Sequence, residues 1–150
     1  MKYLFYSLVP ISIVVFLLLF IFRSSSVTGN SKTVIINGNP IQVEIADNDA
    51  LRTQGLSGRK SLATNSGMLF IYPKAGIYSF WMKEMQFPLD FIWINGDTVA
   101  DLMKDVPAPE TNDLLVLSTY QSNTPVDKAL ELNAGSIDRL TIKIGDKIKY

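Results

Sequence analysis

Thr33-Val34-Ile35-Ile36-Asn37-Gly38-Asn39-Pro40-Ile41-Gln42-Val43-Glu44-Ile45-Ala46 is the stretch that decides the fold. Two runs rich in β-branched residues flank Asn37-Gly38, and Asn-Gly accepts the positive φ of a tight hairpin turn. In the second run Ile41, Val43 and Ile45 alternate with Gln42 and Glu44. A period of two gives a strand one apolar and one polar face, so the chain opens as a sheet.

The same signals recur downstream. Asp47-Asn48-Asp49 offers helix N-caps, residues 50–54 make a short helix, and Gly55 closes it. Apolar runs at 68–72 and 77–83 surround the expected turn Pro73-Lys74-Ala75-Gly76. Runs at 91–94 and 98–103 surround Asn95-Gly96-Asp97. A strand is expected at 114–120, after a loop at 107–113 whose two prolines stop regular structure. Residues 126–132 fit strand or helix, and strands at 140–144 and 147–150 close the chain around Gly145-Asp146. Short strands at this spacing predict an all-β or β-rich α+β domain. Its form is an antiparallel β-sandwich or barrel with one or two short helices.

Upstream the character changes. Residues 3–22 are twenty in succession without a charge, and only Ser7, Pro10 and Ser12 are neither apolar nor aromatic. As a helix such a run spans about 30 Å, the hydrocarbon thickness of a bilayer. Lys2 and Arg23 bracket it, and Tyr3 and Tyr6 suit the interface. Three segments are therefore expected: a transmembrane anchor at 1–23, a flexible linker at 24–32 and a β-rich domain at 33–150. The simplest insertion leaves the N-terminus in the cytosol and the domain outside the cytoplasm. The alternative is a signal peptide cleaved near Ser24-Ser25-Ser26, giving a secreted protein.

Composition narrows the chemistry. The 150 residues include no His and no Cys, which excludes Ser-His-Asp and Cys-His catalysis, thiol redox chemistry and disulfides. With 14 basic and 14 acidic residues the net charge is zero, which argues against nucleic acid as a partner. No cofactor is implied.

An ordered series of short motifs carries a resemblance: Arg52-Thr53-Gln54-Gly55-Leu56 with Arg59, Gly67-Met68-Leu69-Phe70, Phe80-Trp81-Met82-Lys83, Pro88-Leu89-Asp90, and Leu130-Glu131-Leu132 with Asn133-Ala134-Gly135 and Gly145-Asp146. The series resembles the bacterial and archaeal family known as domain of unknown function 192, DUF192, over roughly residues 41–148. Ser57 stands where that family often has Met, and Glu84-Met85 where Asn-Thr is usual. The resemblance implies a compact β-rich domain, often exported or membrane-tethered, and no established reaction.

The candidate ligand-binding residues are Arg52, Arg59, Trp81, Lys83, Asp90, Trp93, Tyr120 and Glu131. On a strand at 77–83, Ser79, Trp81 and Lys83 share one face, and Trp93 on a later strand could join Trp81 in a platform for a sugar ring or apolar ligand. The alternative is that both tryptophans fill the core. Asp90, at the entry to an apolar strand, needs a cationic or backbone partner, with Arg52, Arg59 or Lys83 as the cations. Tyr120, Lys128 and Glu131 are candidates for a pocket rim. No metal site is expected: Asp47-Asn48-Asp49 lacks the later ligands and the Gly of a calcium loop, and Asp97, Asp101 and Asp105 read as a solvated face.

Three functions fit these residues. The first is a membrane-anchored extracytoplasmic module that binds a small ligand or an envelope protein, with residues 3–22 in the bilayer. The second is a glycosidase-like hydrolase using Asp90 and Glu131 as acid and base with Arg52 as anion clamp; it requires the two carboxyl groups to share a face within about 10 Å. The third is a structural subunit of an envelope complex, which would expose an apolar patch.

Overall fold

The computed structural model describes residues 30–150. The expected anchor at 1–23 and most of the linker lie outside the described residues. Among the described residues no helix is long and apolar enough to cross a membrane.

The opening hairpin forms as its sequence predicts. β1 (Ser31–Ile36) pairs antiparallel with β2 (Asn39–Ala46), and Asn37 and Gly38 take φ values of 50° and 78° in the turn. These left-handed values match the turn to the twist of the strands. The side chain of Asn48 caps helix α1 (Asp49–Gln54) by accepting from the Leu51 N–H at 3.0 Å. Gly55, at φ 50°, ends the helix and donates to the Leu51 carbonyl at 2.8 Å.

Helix α1 lies within a crossover that carries the chain back, so β3 (Ser66–Gly76) runs parallel to β2. A hairpin cannot join parallel strands, and the segment 47–65 supplies the necessary length. β4 (Phe80–Trp81) is short, while β5 (Leu89–Asn95) and β6 (Thr98–Val106) form a hairpin around Gly96. Among the described residues β7 (Thr119–Tyr120) pairs only with β4. β8 (Val126–Asn133) resolves the strand-or-helix alternative: it lies between β3 and β5, antiparallel to both. Helix α2 (Ser136–Arg139) and β9 (Ile148–Lys149) complete the chain.

The seven-stranded sheet has the order β6-β5-β8-β3-β2-β1-β9. Its two edges meet at one end, where Thr98 bridges Lys147 and the Ile148 N–H donates to the Asp97 carbonyl at 2.8 Å. The fold is thus a curled, mostly antiparallel sheet with two short helices, barrel-like rather than a sandwich. The parallel β2–β3 pair departs from the expected all-antiparallel arrangement.

Three expected strands are corrected. Residues 73–76 are the end of β3, not a turn, and the strand expected at 77–83 contracts to Phe80–Trp81. The β3–β8 ladder skips from Ile71 to Gly76, so Pro73 needs no ladder N–H. The strand expected at 114–120 is reduced to Thr119–Tyr120. Residues 140–144 follow α2 as turns, with the Ile142 N–H donating to the Ile137 carbonyl at 2.9 Å.

Side-chain alternation divides the core into two layers. Val34, Ile36, Leu69, Ile92 and Leu130 pack on one face of the sheet with Ile137 of α2. On the other face Phe70, Phe91, Trp93 and Ala129 pack under Leu56, Phe80, Met82 and Met85 from the excursions beside α1 and β4. The functional geometry lies in this second layer.

Candidate functional site: an aromatic cleft with a buried carboxyl

Strand register places Glu131 in the middle of the sheet. Glu44 of β2, Met68 of β3, Glu131 of β8, Phe91 of β5 and Met103 of β6 are successive cross-strand partners in one row. Glu131 therefore stands between Met68 and Phe91, and only 5% of it is exposed. Its carboxyl makes no hydrogen bond or ion pair among the described residues, and burial pushes its pKa up to about 8. The cost of burying an unpaired carboxylate explains the direction: the neutral acid is preferred.

Glu131 lies at the bottom of a cleft of about 480 Å³. The walls are Phe70 and Tyr72 from β3, Tyr78, Phe80 and Trp81 around β4, and Leu56, Met85 and Leu89. The rim comes from α1, which presents Asp49, Arg52, Thr53 and Gln54. Tyr72 and Tyr78 stack with ring centroids 3.5 Å apart, and Phe80 meets Phe70 edge-on at 5.2 Å. Gly76 permits the tyrosine stack, because a Cβ there would lie 3.3 Å from the Tyr78 ring. Burial pushes the Tyr72 hydroxyl up to about 12 even though the Arg52 charge opposes it.

Arg52 is committed to the protein. Its guanidinium donates to the Ile71 carbonyl at 2.6 Å and to Asp49 Oδ1 at 2.7 Å, and lies 5.2 Å from the Tyr72 ring centroid. Arg59 forms a two-pronged pair with Glu44 at 2.5 and 2.8 Å, which holds the Glu44 carboxyl below its usual range. Lys83 lies in an adjoining depression and sits 3.6 Å from Glu84.

Of the residues singled out from sequence, Arg52, Trp81 and Glu131 meet at the cleft. Trp93 does not: it is wholly buried and stacks on Phe91 at 5.6 Å, whereas Trp81 is 42% exposed at the cleft. The two-tryptophan platform is corrected accordingly, because β5 directs Trp93 into a core covered by the excursions. Tyr120 stacks on Phe91 at 6.1 Å and is not part of the cleft lining. Asp90 finds backbone partners, accepting from the Asp105 N–H at 2.9 Å and the Ile137 N–H at 2.8 Å. No cation joins it among the described residues. Its strand partner is Leu132, so it projects from the sheet face opposite Glu131. That removes the acid–base pair expected of a two-carboxylate hydrolase.

Sequence reading does not single out the tyrosine stack or the part played by Phe70 and Phe80 in the cleft. A usable signal existed: Leu56, Phe70, Phe80, Leu89 and Glu131 each come from a different motif of the resemblance, and all line the cleft.

The sequence matches DUF192, described as Uncharacterized ACR, over residues 32–150. The chain belongs to the DUF192 family. Within the solved structures, a Sinorhizobium meliloti protein described as a candidate transcription regulator is 31% identical, with a TM-score of 0.73 over 82% of this chain and 95% of that one. A Novosphingobium aromaticivorans protein of unknown function is 28% identical, with a TM-score of 0.70 over 80% of this chain and 85% of that one. No curated protein matches the chain. The cleft thus belongs to the DUF192 domain itself, since every residue that lines it falls within the matched span.

Proposed function

We propose that this DUF192 domain is a binding module whose cleft takes a small ligand with an apolar or aromatic body, with Arg52, Trp81 and Glu131 among its contacts. The observation that carries this reading is the convergence of the separate sequence motifs on one open cleft with a buried polar group at its bottom. An apolar and aromatic wall with polar side chains around it is the usual form of a small-molecule site. Hydrolysis is the weaker reading, because Asp90 and Glu131 lie on opposite faces of the sheet.

Residues 3–22 tether the domain to a bilayer in this reading, with the domain outside the cytoplasm; cleavage near Ser24 would give a secreted form instead. Protease digestion of the C-terminal domain in intact cells tests the side of the membrane. Nucleic-acid binding, suggested by the name of the Sinorhizobium protein alone, has little electrostatic support. From residue 30 onward there are 12 basic and 14 acidic residues.

Titration of small aromatic compounds, sugars and cell-envelope fragments tests the cleft, followed by tryptophan fluorescence. Binding should move the emission of Trp81 and persist in Trp93→Phe. Failure of every compound to perturb Trp81 in the folded protein would count against the reading.

A second reading, an assembly surface for an envelope protein, draws on Leu114, Leu115 and Val116, which are 58%, 93% and 66% exposed. Substituting Leu115→Ser should then lower self- or partner association without changing stability.

A further inference from the structure

We propose that the cleft selects a small organic cation, an ammonium group on a compact apolar body, with the Glu131 carboxylate as its counter-ion and Trp81 among the rings that face it. This inference rests on the cleft being a ligand site and names the chemistry of the ligand.

Glu131 is a carboxyl, 5% exposed, that lines an open cleft and has no partner among the described residues. The cations nearest in the fold are already engaged, Arg52 by Asp49 and the Ile71 carbonyl, Arg59 by Glu44. A buried acid without a cation is costly to ionise, so a complementary ligand is one that brings the cation with it. The walls supply the second half of the recognition. Aromatic faces attract ammonium groups through their quadrupoles, and more strongly where water is excluded. Tyr72 already has Tyr78 and Arg52 against it, and Phe80 is buried against Phe70, Tyr72 and Phe91, which leaves the 42% exposed ring of Trp81 as the open aromatic surface.

The groups facing Glu131 are few. Its register partners are Met68 of β3 and Phe91 of β5, and the cleft it lines adds the neutral Tyr72, Tyr78 on the approach to β4, and Thr119 of β7. On α1, Asp49 and Arg52 neutralise one another. Burial alone accounts for the raised value of about 8 at Glu131. At pH 7 roughly one molecule in ten carries the carboxylate, so drawing the site into its ionised form weakens cation binding only about tenfold. The proton leaves to solvent as the cation enters.

The test uses the full chain, with choline and benzyltrimethylammonium as cations and 3,3-dimethylbutan-1-ol as the uncharged isostere of choline. Both cations should bind more tightly at pH 9 than at pH 6, approaching a hundredfold, and about one proton should be released per cation bound near pH 7. Glu131→Gln should remove the pH dependence and weaken cation binding at pH 9 at least tenfold, while leaving the isostere unaffected. Trp81→Ala should weaken the cations with the pH dependence retained, which keeps the proposal testable if the Glu131 variant misfolds. Cation affinity that is flat or falls with rising pH, or an isostere that binds as well as choline, would overturn the cation assignment while leaving a ligand cleft. If neither the cations nor any other compound binds, the cleft reading fails with it.

Discussion

Asp90 and Glu131 belong to adjacent strands but project from opposite faces of the sheet. Asp90 pairs across the ladder with Leu132 and reaches the Ile137 N–H of α2 at 2.8 Å; Glu131 pairs with Phe91 and lines the cleft. One has each of its two oxygens held by a backbone N–H, the other has no protein partner among the described residues.

Glu131 should make the domain less stable as pH rises. Its folded pKa, about 8, stands above the ordinary value of 4.5, so the folded state holds a proton that the unfolded chain has lost between those limits. Its stabilising effect is complete below pH 4.5 and is lost as pH climbs through about 8, for a total of roughly 3–5 kcal/mol. Urea unfolding from pH 5 to 9 should give a falling profile that Glu131→Gln flattens. Parallel profiles for the two proteins would refute this assignment. Glu44 acts in the other sense, since its lowered pKa contributes stability above its unfolded value that is lost as pH falls.

Asp90→Ala should destabilise the domain by about 3 kcal/mol, because it strands two N–H groups beneath a side chain that is 1% exposed. The bond to Asp105 also holds a residue at φ 54°, so the β5–β6 pairing should loosen with it. Chemical denaturation measures the first effect and amide exchange at Asp105 the second. A loss below about 1 kcal/mol would show that water replaces the carboxylate without difficulty.

Gly67→Ala should cost about 2 kcal/mol or more by overpacking. A Cβ at Gly67 would lie 2.6 Å from the Glu131 carbonyl and from Leu132 Cδ2. The strain falls on the β3–β8 pairing that positions Glu131, so ligand affinity should drop along with the thermal midpoint. A fully stable variant would mean that the two strands separate with little resistance.

The two tryptophans should be spectroscopically distinct. Trp81, 42% exposed, should emit at longer wavelength and be quenched by acrylamide, while Trp93, wholly buried, should be shielded. Trp93→Phe should leave the quenchable emission intact. Its stability cost should come from lost volume, since Trp93 Nε1 has no hydrogen-bond partner among the described residues.

Much of the frame was legible because it rests on local chemistry. Asn37-Gly38 specified a turn through positive φ, Asn48 and Gly55 bounded a helix, and the Ile41–Val43–Ile45 alternation chose a buried face. The motifs also marked the family correctly. Reading failed where a local signal competed with a distant partner. Residues 140–144 have strand-like composition, yet they follow a helix that Asp90 anchors from β5. Pro73 looked like a turn because the sequence did not reveal that β3 leaves its ladder at Ile71.

The sequence by itself determined a β-rich DUF192 domain and a chemistry without His or Cys, because composition, periodicity and turn residues act over a few neighbouring positions. Tertiary structure alone decided which carboxyl faces the cleft and which tryptophan stays at its edge. Those choices follow from strand register, where a shift of one residue exchanges the two faces of the sheet, and from the loops that cover only one of them.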